Sequence, residues 1–251
     1  MSATVQVHGL EYTYPDGRKA LRGVDIEIGA GERVAILGPN GAGKTTFALH
    51  LNGILQPEAG SITISGLPVV EENYREIRQM VGLVFQDPND QLFMSTVRED
   101  VAFGPMNLGV SGDELVARVD AALEVVSGSD FADRPPHHLS GGEKRRAALA
   151  TVLAMDPDVL VFDEPTSGLD PAGRRQLIST LSSLPMTQLV ITHDLPLALE
   201  LCTRSVIMNR GRVVADAPTA ELLFNESVLV ANSLELPYRP LTPAPCTEKA
   251  D

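Results

Sequence analysis

The apolar positions along the chain change their period twice. Alternating runs open it at Val5–Leu10 and Val24–Ile28, and a nearly continuous apolar run follows at Arg33–Leu37. Alternation reads as a strand with one buried face, and a continuous run as a strand buried on both. The glycines end at Gly43 and "KTTFALHLNGIL" has helical apolar spacing, so a helix should start at Lys44. "SITISG" and "VGLVF" read as further strands. From Asp87 to about Met155 helical patterns take over, in "STVREDVAF", "GDELVARVDAALEVV" and "GEKRRAALATVLAM". Strand and helix patterns then alternate in "VLVFDE", "AGRRQLISTLSSL", "QLVITHD", "LPLALELC" and "SVIMNRGRVVA". This order predicts an α/β sheet built from 1–86 and 156–225, with a helical unit at 87–155 inserted in it. The remainder, 226–251, is expected to be an extended tail, because Pro237, Pro240, Pro243 and Pro245 crowd its middle. There is no internal repeat.

Composition narrows the classes. Hydrophobic residues make up 43 % of the 251, enough for a sizeable core. The formal charge of −13 speaks against sequence-independent nucleic-acid binding, which needs a basic footprint. Cys202 and Cys246 are far apart and match no metal spacing, so a reducing cytoplasm is the simplest setting. No signal peptide is visible at the N-terminus, and no apolar stretch reaches the roughly 18 residues of a membrane span.

Two glycine-rich loops carry the candidate chemistry. Gly38, Pro39, Asn40, Gly41, Ala42, Gly43, Lys44 and Thr45 spell G-x-x-x-x-G-K-T between an expected strand and an expected helix, with Thr46 next. In that context the backbone N–H groups curl around a phosphate chain, Lys44 reaches the β/γ-phosphates, and the Thr45 hydroxyl can ligate Mg²⁺. The second loop is "LSGGEKRR", Leu139–Arg146, which opens another helical run. Ser140, Gly141 and Gly142 offer a hydroxyl, N–H groups and a helix N-terminus as a further anion clamp. The plainer reading is a capping box, with Ser140 as N-cap and Glu143 as its partner. Between the loops and the C-terminus, the run "VLVFDEPTSGLD" ends in two carboxylates, Asp163 and Glu164. A carboxylate at a strand's C-terminal end sits where open α/β sheets bind ligands. Spacing alone leaves open which of the two holds metal and which polarises a water.

Taken in order, "GPNGAGKTT", "LSGGEKRR", "VLVFDEPTSGLD" and "VITHD" resemble the nucleotide-binding subunit of an ABC (ATP-binding cassette) transporter, over about Val5–Phe224. The resemblance implies a RecA-like P-loop NTPase core with a mixed, mostly parallel sheet, an N-terminal antiparallel β subdomain and an inserted α-helical subdomain. It implies an ATPase using ATP and Mg²⁺. Tyr14 falls where the family stacks an aromatic on adenine, with Tyr12 the competing candidate. Gln86 matches the glutamine that senses Mg²⁺ and the attacking water. Thr45, Gln86 and Asp163 match the metal site, Glu164 the general base, and His193 the histidine that contacts the γ-phosphate. Ser140, Gly141 and Gly142 match the signature loop, and Asp170 the loop that links the two sites of a dimer. Glu143 stands where many members have glutamine.

A narrower resemblance lies in "VGLVFQDPNDQLFMSTVREDVAFGPMNLGV", which is similar to the ATPases of energy-coupling-factor importers, including those for cobalt, nickel and vitamins. It implies a second ATPase chain in a head-to-tail dimer, a transmembrane scaffold, a substrate-capture membrane protein, and a place on the cytoplasmic face of the membrane. Asp87, Asp90, Glu99 and Asp100 are then expected to line the groove for the scaffold's cytoplasmic helices. The chromosome and repair ATPases of the superfamily insert long coiled coils between the loops. Here fewer than about a hundred residues separate them, with no sustained heptads.

Overall fold

The computed structural model describes residues 3–237. The chain runs β1 (Ala3–Thr13), β2 (Lys19–Gly29), β3 (Arg33–Leu37), α1 (Lys44–Leu51), β4 (Ala59–Ile64), β5 (Leu67–Pro68), α2 (Tyr74–Met80) and β6 (Val81–Val84). Then come α3 (Val97–Asn107), α4 (Gly112–Val125), α5 (Gly141–Leu153), β7 (Val159–Asp163), α6 (Pro171–Ser183), β8 (Thr187–Ile191) and α7 (Leu195–Leu201). The described part ends with β9 (Arg204–Asn209), β10 (Arg212–Pro218), α8 (Thr219–Leu223) and α9 (Glu226–Ala231).

Two sheets form. One is antiparallel, in the order β2-β1-β4-β5. The other has the order β10-β9-β3-β8-β7-β6, parallel from β9 to β6 with β10 antiparallel at its edge. The parallel sheet is buried on both faces, which its continuous apolar runs require. Val34 and Ile36 of β3, with Val159 and Val161 of β7, face a core shared with α1 and the antiparallel sheet. Ala35 and Leu37, with Leu160 and Phe162, face a second core made with the helices from α3 onward. The two-residue period of a strand thus feeds two cores from one sheet. Helices α3, α4 and α5 pack on one another.

Three features differ from the pattern reading. β1 and β2 are longer than their alternating runs, because each changes phase at a glycine. Val5 and Val7 point inward, then Gly9 at φ 56° shifts the register and Leu10 is next inside. Gly23 at φ 80° does the same between Leu21 and Val24. A bulge breaks alternation without ending a strand. Helix α2 has no counterpart in the reading. The stretch from 226, expected to be extended, begins instead with α9, and Leu229 and Leu234 are buried in the helical-side core. The prolines from Pro240 on lie outside the described residues.

Candidate functional site

Neighbouring parallel strands end at one edge of the sheet, so the residues that follow them meet. Beyond β3 comes the glycine loop, beyond β7 Glu164, beyond β8 Thr192 and His193, and beyond β6 Gln86. An open cleft of about 370 Å³ is lined there by Tyr14, Arg18, Asn40–Thr46, Gln86, Asp163, Glu164 and His193.

The loop's form depends on glycine. Gly38 has φ 145°, and a Cβ there would lie 2.1 Å from the Met208 carbonyl oxygen. Gly43, at φ 101°, precedes α1 and leaves it without any side-chain cap. Among the described residues no acceptor takes the N–H groups of Lys44, Thr45 and Thr46. These are the donors that an α-helix leaves unpaired in its first turn, and they suit an anion. Gly38 and Pro39 do not line the cleft. Their carbonyls accept from Lys44 Nζ at 2.7 and 3.1 Å. Burial pulls the Lys44 pKa down, while Glu164 and Asp163 oppose that shift.

The two carboxylates are separated by backbone conformation. Asp163 ends β7 and accepts from the Thr45 hydroxyl at 2.6 Å. Burial pushes its carboxyl up. The Thr45 bond opposes this, the Glu164 charge adds to it, and Lys44 opposes it. Glu164 follows at φ 50°, the left-handed region that costs a non-glycine residue about 1–2 kcal/mol. That turn aims its side chain at β8's end. His193 Nδ1 lies 2.8 Å from Oε1, and the Thr192 hydroxyl donates to Oε2 at 3.2 Å. The His193 side chain stays 69 % exposed at the cleft mouth.

At the other end of the cleft Tyr14 is part of the wall and Tyr12 is not. The Tyr14 hydroxyl meets Thr46 Oγ1 at 3.0 Å, and Tyr12 packs edge-on between Tyr14 and the buried His50. The Arg18 guanidinium lies 4.7 Å from the Tyr14 ring centroid. Sequence reading missed Arg18, although a cation four residues beyond an aromatic across a turn is a visible cue.

Ser140, Gly141, Gly142 and Asp170 are not in this cleft. They line a separate one of about 400 Å³, with Arg145, Arg146 and Gly173. Ser140 caps α5 in a capping box: its Oγ accepts from the Glu143 N–H at 3.3 Å, and Glu143 Oε2 accepts from the Ser140 N–H at 2.8 Å. The basic residues after the signature do not form a cationic clamp. Lys144 donates to Asn89 Oδ1 at 2.8 Å, Arg145 turns inward to backbone carbonyls, and Arg146 bonds the Gln176 side chain.

The acidic stretch after Gln86 is divided. Asp87 and Asp90 are exposed, and Asp87 Oδ1 caps a short turn by accepting from the Asn89 N–H at 2.8 Å. Asp100 is 3 % exposed and accepts from the N–H groups of Phe93 and Met94, while Glu99 closes a capping box with Thr96. These two are committed to the local fold. Phe93 and Phe103 stack edge-to-face beside them, and both are exposed.

A phosphate loop after one strand, two carboxylates at the end of another strand of the same parallel sheet and a helical unit bearing a second loop define a P-loop ATPase with an inserted helical subdomain. The sequence profile of the ABC transporter family matches residues 21–167. A Streptomyces coelicolor protein provisionally named as an ABC transporter ATP-binding protein is 60 % identical over 94 % of this chain and 91 % of its own length. The energy-coupling factor transporter ATP-binding protein of Carboxydothermus hydrogenoformans is 49 % identical over 94 % of this chain and 88 % of its own. Among solved structures, cbiO1 from Clostridium perfringens, part of the ABC transporter complex cbiONQ, matches with TM-score 0.81 and 38 % identity. The match covers 94 % of this chain and 97 % of that one. The ATP-binding cassette MJ0796, solved as a dimer in a post-hydrolysis state with ADP and Pi, matches with TM-score 0.78 and 28 % identity, covering 86 % and 98 %. The chain belongs to the ABC transporter family and is an ATPase subunit of that family, with the RecA-like core, antiparallel β subdomain and helical insertion that the resemblance implied.

Proposed function

We propose that this ATPase powers an energy-coupling-factor-type importer by closing head-to-tail on a second ATPase chain, same or paralogous. The observation that carries the reading is the separation of the two clefts. The phosphate loop, both carboxylates and His193 line one, the signature loop and Asp170 line the other, and they share no residue. Phosphoryl transfer asks the protein for placed charges and excluded water. One cleft supplies those on one side of a nucleotide only, and a second copy supplies the other side.

In this reading Tyr14 stacks on the adenine, and the Gly38–Thr46 loop and Lys44 hold the phosphates. The Thr45 hydroxyl and Asp163 are hard oxygen donors at one spot and fit Mg²⁺, with Gln86 at its edge. Among the described residues no three acidic, His or Cys side chains form a metal cage, and Mg²⁺ needs none, because it draws its other ligands from phosphate and water. Mg²⁺ would offset charge on the phosphate oxygens. Glu164 takes a proton from the attacking water, His193 orients Glu164 and reaches the γ-phosphate, and Ser140, Gly141 and Gly142 of the second chain close the site.

No helix among the described residues is long and apolar enough to cross a membrane. In this reading the chain acts at the cytoplasmic face through a transmembrane scaffold and a substrate-capture protein, with a transition-metal ion such as cobalt or nickel, or a vitamin, as cargo. The names of the energy-coupling-factor relatives and the "DPNDQLF" stretch support this subtype. An ATPase of an exporter or a binding-protein-dependent importer is the alternative. It predicts that the parent chain does not copurify with an energy-coupling-factor scaffold, whereas in the importer reading it does, and charge reversal of Asp87 and Asp90 weakens that copurification and transport.

The composite site is tested by mixing. Lys44→Ala and Ser140→Arg damage opposite halves, so a heterodimer regains one intact site. Each variant alone should be nearly inactive and the mixture should hydrolyse ATP. A demonstrated heterodimer without recovery counts against the reading.

A further inference from the structure

Arg145 lies in the second turn of α5 with only 5 % of its surface exposed. Its Nη1 donates to the Gln86 carbonyl at 2.8 Å and the Phe85 carbonyl at 3.3 Å, and its Nη2 to the Ser167 carbonyl at 3.1 Å. Its Nε has no partner among the described residues. No carboxylate is hydrogen-bonded to it there. Burial pulls its pKa down, and Asp87 and Glu164 oppose that only through space. Arg146 beside it is held quite differently, by the Gln176 side chain and over the Phe131 ring.

A buried guanidinium held by carbonyls alone is costly, and an apolar chain would fill the same space without that penalty. What only arginine brings is a rigid fork of donors that can hold two segments at a fixed separation. The two segments are informative. Residues 85 and 86 lead from β6 into the first cleft, where Gln86 is part of the wall. Ser167 sits in the loop that leaves Glu164 in the first cleft and reaches Asp170 in the second, and the Ser167 N–H itself donates to the Glu164 carbonyl at 3.2 Å. The helix that carries the fork presents Ser140 at its N-terminus.

We propose that Arg145 is a positioning residue that holds the Gln86 loop, the Glu164–Asp170 loop and the signature helix as one unit. The arrangement of the first cleft and the presentation of the second then change together. This rests on the two-chain reading above. It means that one lesion at Arg145 spoils both halves that a chain contributes, whereas Lys44→Ala and Ser140→Arg spoil one each.

The test uses Arg145→Lys, which keeps the charge and loses the fork, and Arg145→Met, which loses both and keeps an unbranched apolar stem. Either folded variant should bind ATP within about three-fold of the parent chain, because Tyr14, Lys44 and the phosphate loop are untouched. Its kcat should fall at least about ten-fold with KM little changed. Mixed with Lys44→Ala chains or with Ser140→Arg chains, it should restore neither, while the Lys44→Ala plus Ser140→Arg mixture recovers. Recovery with either partner, a wild-type kcat, or ATP affinity and melting temperature that fall in step with kcat would each overturn the proposal. If the control mixture stays inactive, the two-chain reading has failed, and Arg145 is judged within one chain. There, adding Gln86→Ala to Arg145→Lys should slow turnover no further than the slower single variant, and additive losses overturn the role.

Discussion

Helices α1 and α5 both begin at a glycine-rich loop, and their first turns are completed in opposite ways. α1 starts at Gly43 with no side-chain cap, a buried lysine turned back on its own loop, and three N–H groups without an acceptor among the described residues. α5 starts at Ser140 with a complete capping box and an exposed rim. The first end is a poor local structure that suits an anion. The second is stable by itself and offers a hydroxyl and glycine N–H groups to something that arrives from outside. An unfinished helix start can be tolerated where the surrounding fold holds it, and here Gly38 and Gly43 pack so closely on Met208 and Ala20 that no Cβ fits.

The contrast makes its largest demand on Lys44. Lys44→Ala removes the charge that faces Asp163 and Glu164, and kcat/KM for ATP should fall by about 10³ or more, read by steady-state hydrolysis. Glu164→Gln keeps the shape and removes the proposed base. Turnover should drop by about 10²–10⁴ while ATP stays bound and the ATP-bound dimer becomes long-lived on gel filtration. Near-normal hydrolysis in that variant would move the base to His193.

The same substitution in both loops sharpens the comparison. Gly38→Ala places a methyl against the Met208 carbonyl at a φ that disfavours it, and should cost about 1–3 kcal/mol, seen as a lower melting temperature. Gly141→Ala meets nothing within 4 Å, so stability should change by less than about 0.5 kcal/mol while hydrolysis falls, because the crowding appears only when a partner closes. Loss of stability in Gly141→Ala would make the second loop a local structural element and nothing more.

The smallest effect concerns Glu143. The Ser140 N–H and hydroxyl hold its carboxyl below the usual glutamate range, with Arg134 adding to the shift. A depressed carboxyl stabilises the fold above its ordinary pKa, and that contribution is lost as pH falls through the lowered value. Glu143→Gln should therefore leave melting near neutral pH within about 0.5–1 kcal/mol and flatten the acid limb of the stability curve.

Much of the first cleft was legible because its parts are contiguous. The G-x-x-x-x-G-K-T run and the Asp163–Glu164 pair each lie at one strand end, β3 and β7, and the parallel sheet brings both ends to one edge with β8 between them. The signature's capping box was legible for the same reason. Arg145 and Arg18 were not, because their partners come from distant segments or from across a turn, and a run of basic residues does not say which one points inward. The left-handed backbone at Glu164 has no sequence mark either, since no glycine or asparagine flags it. The bulges at Gly9 and Gly23 hid the true length of β1 and β2, because period counting stops where the phase changes.

The central claim is that the two clefts are halves of one site contributed by different chains. A structure of the Glu164→Gln protein with ATP and Mg²⁺ tests it most directly. The account predicts a dimer in which Ser140 Oγ of one chain lies within about 3 Å of a γ-phosphate oxygen held by Lys44 of the other. A γ-phosphate met by Ser140 of its own chain, or a closed nucleotide site in a monomer, would contradict it.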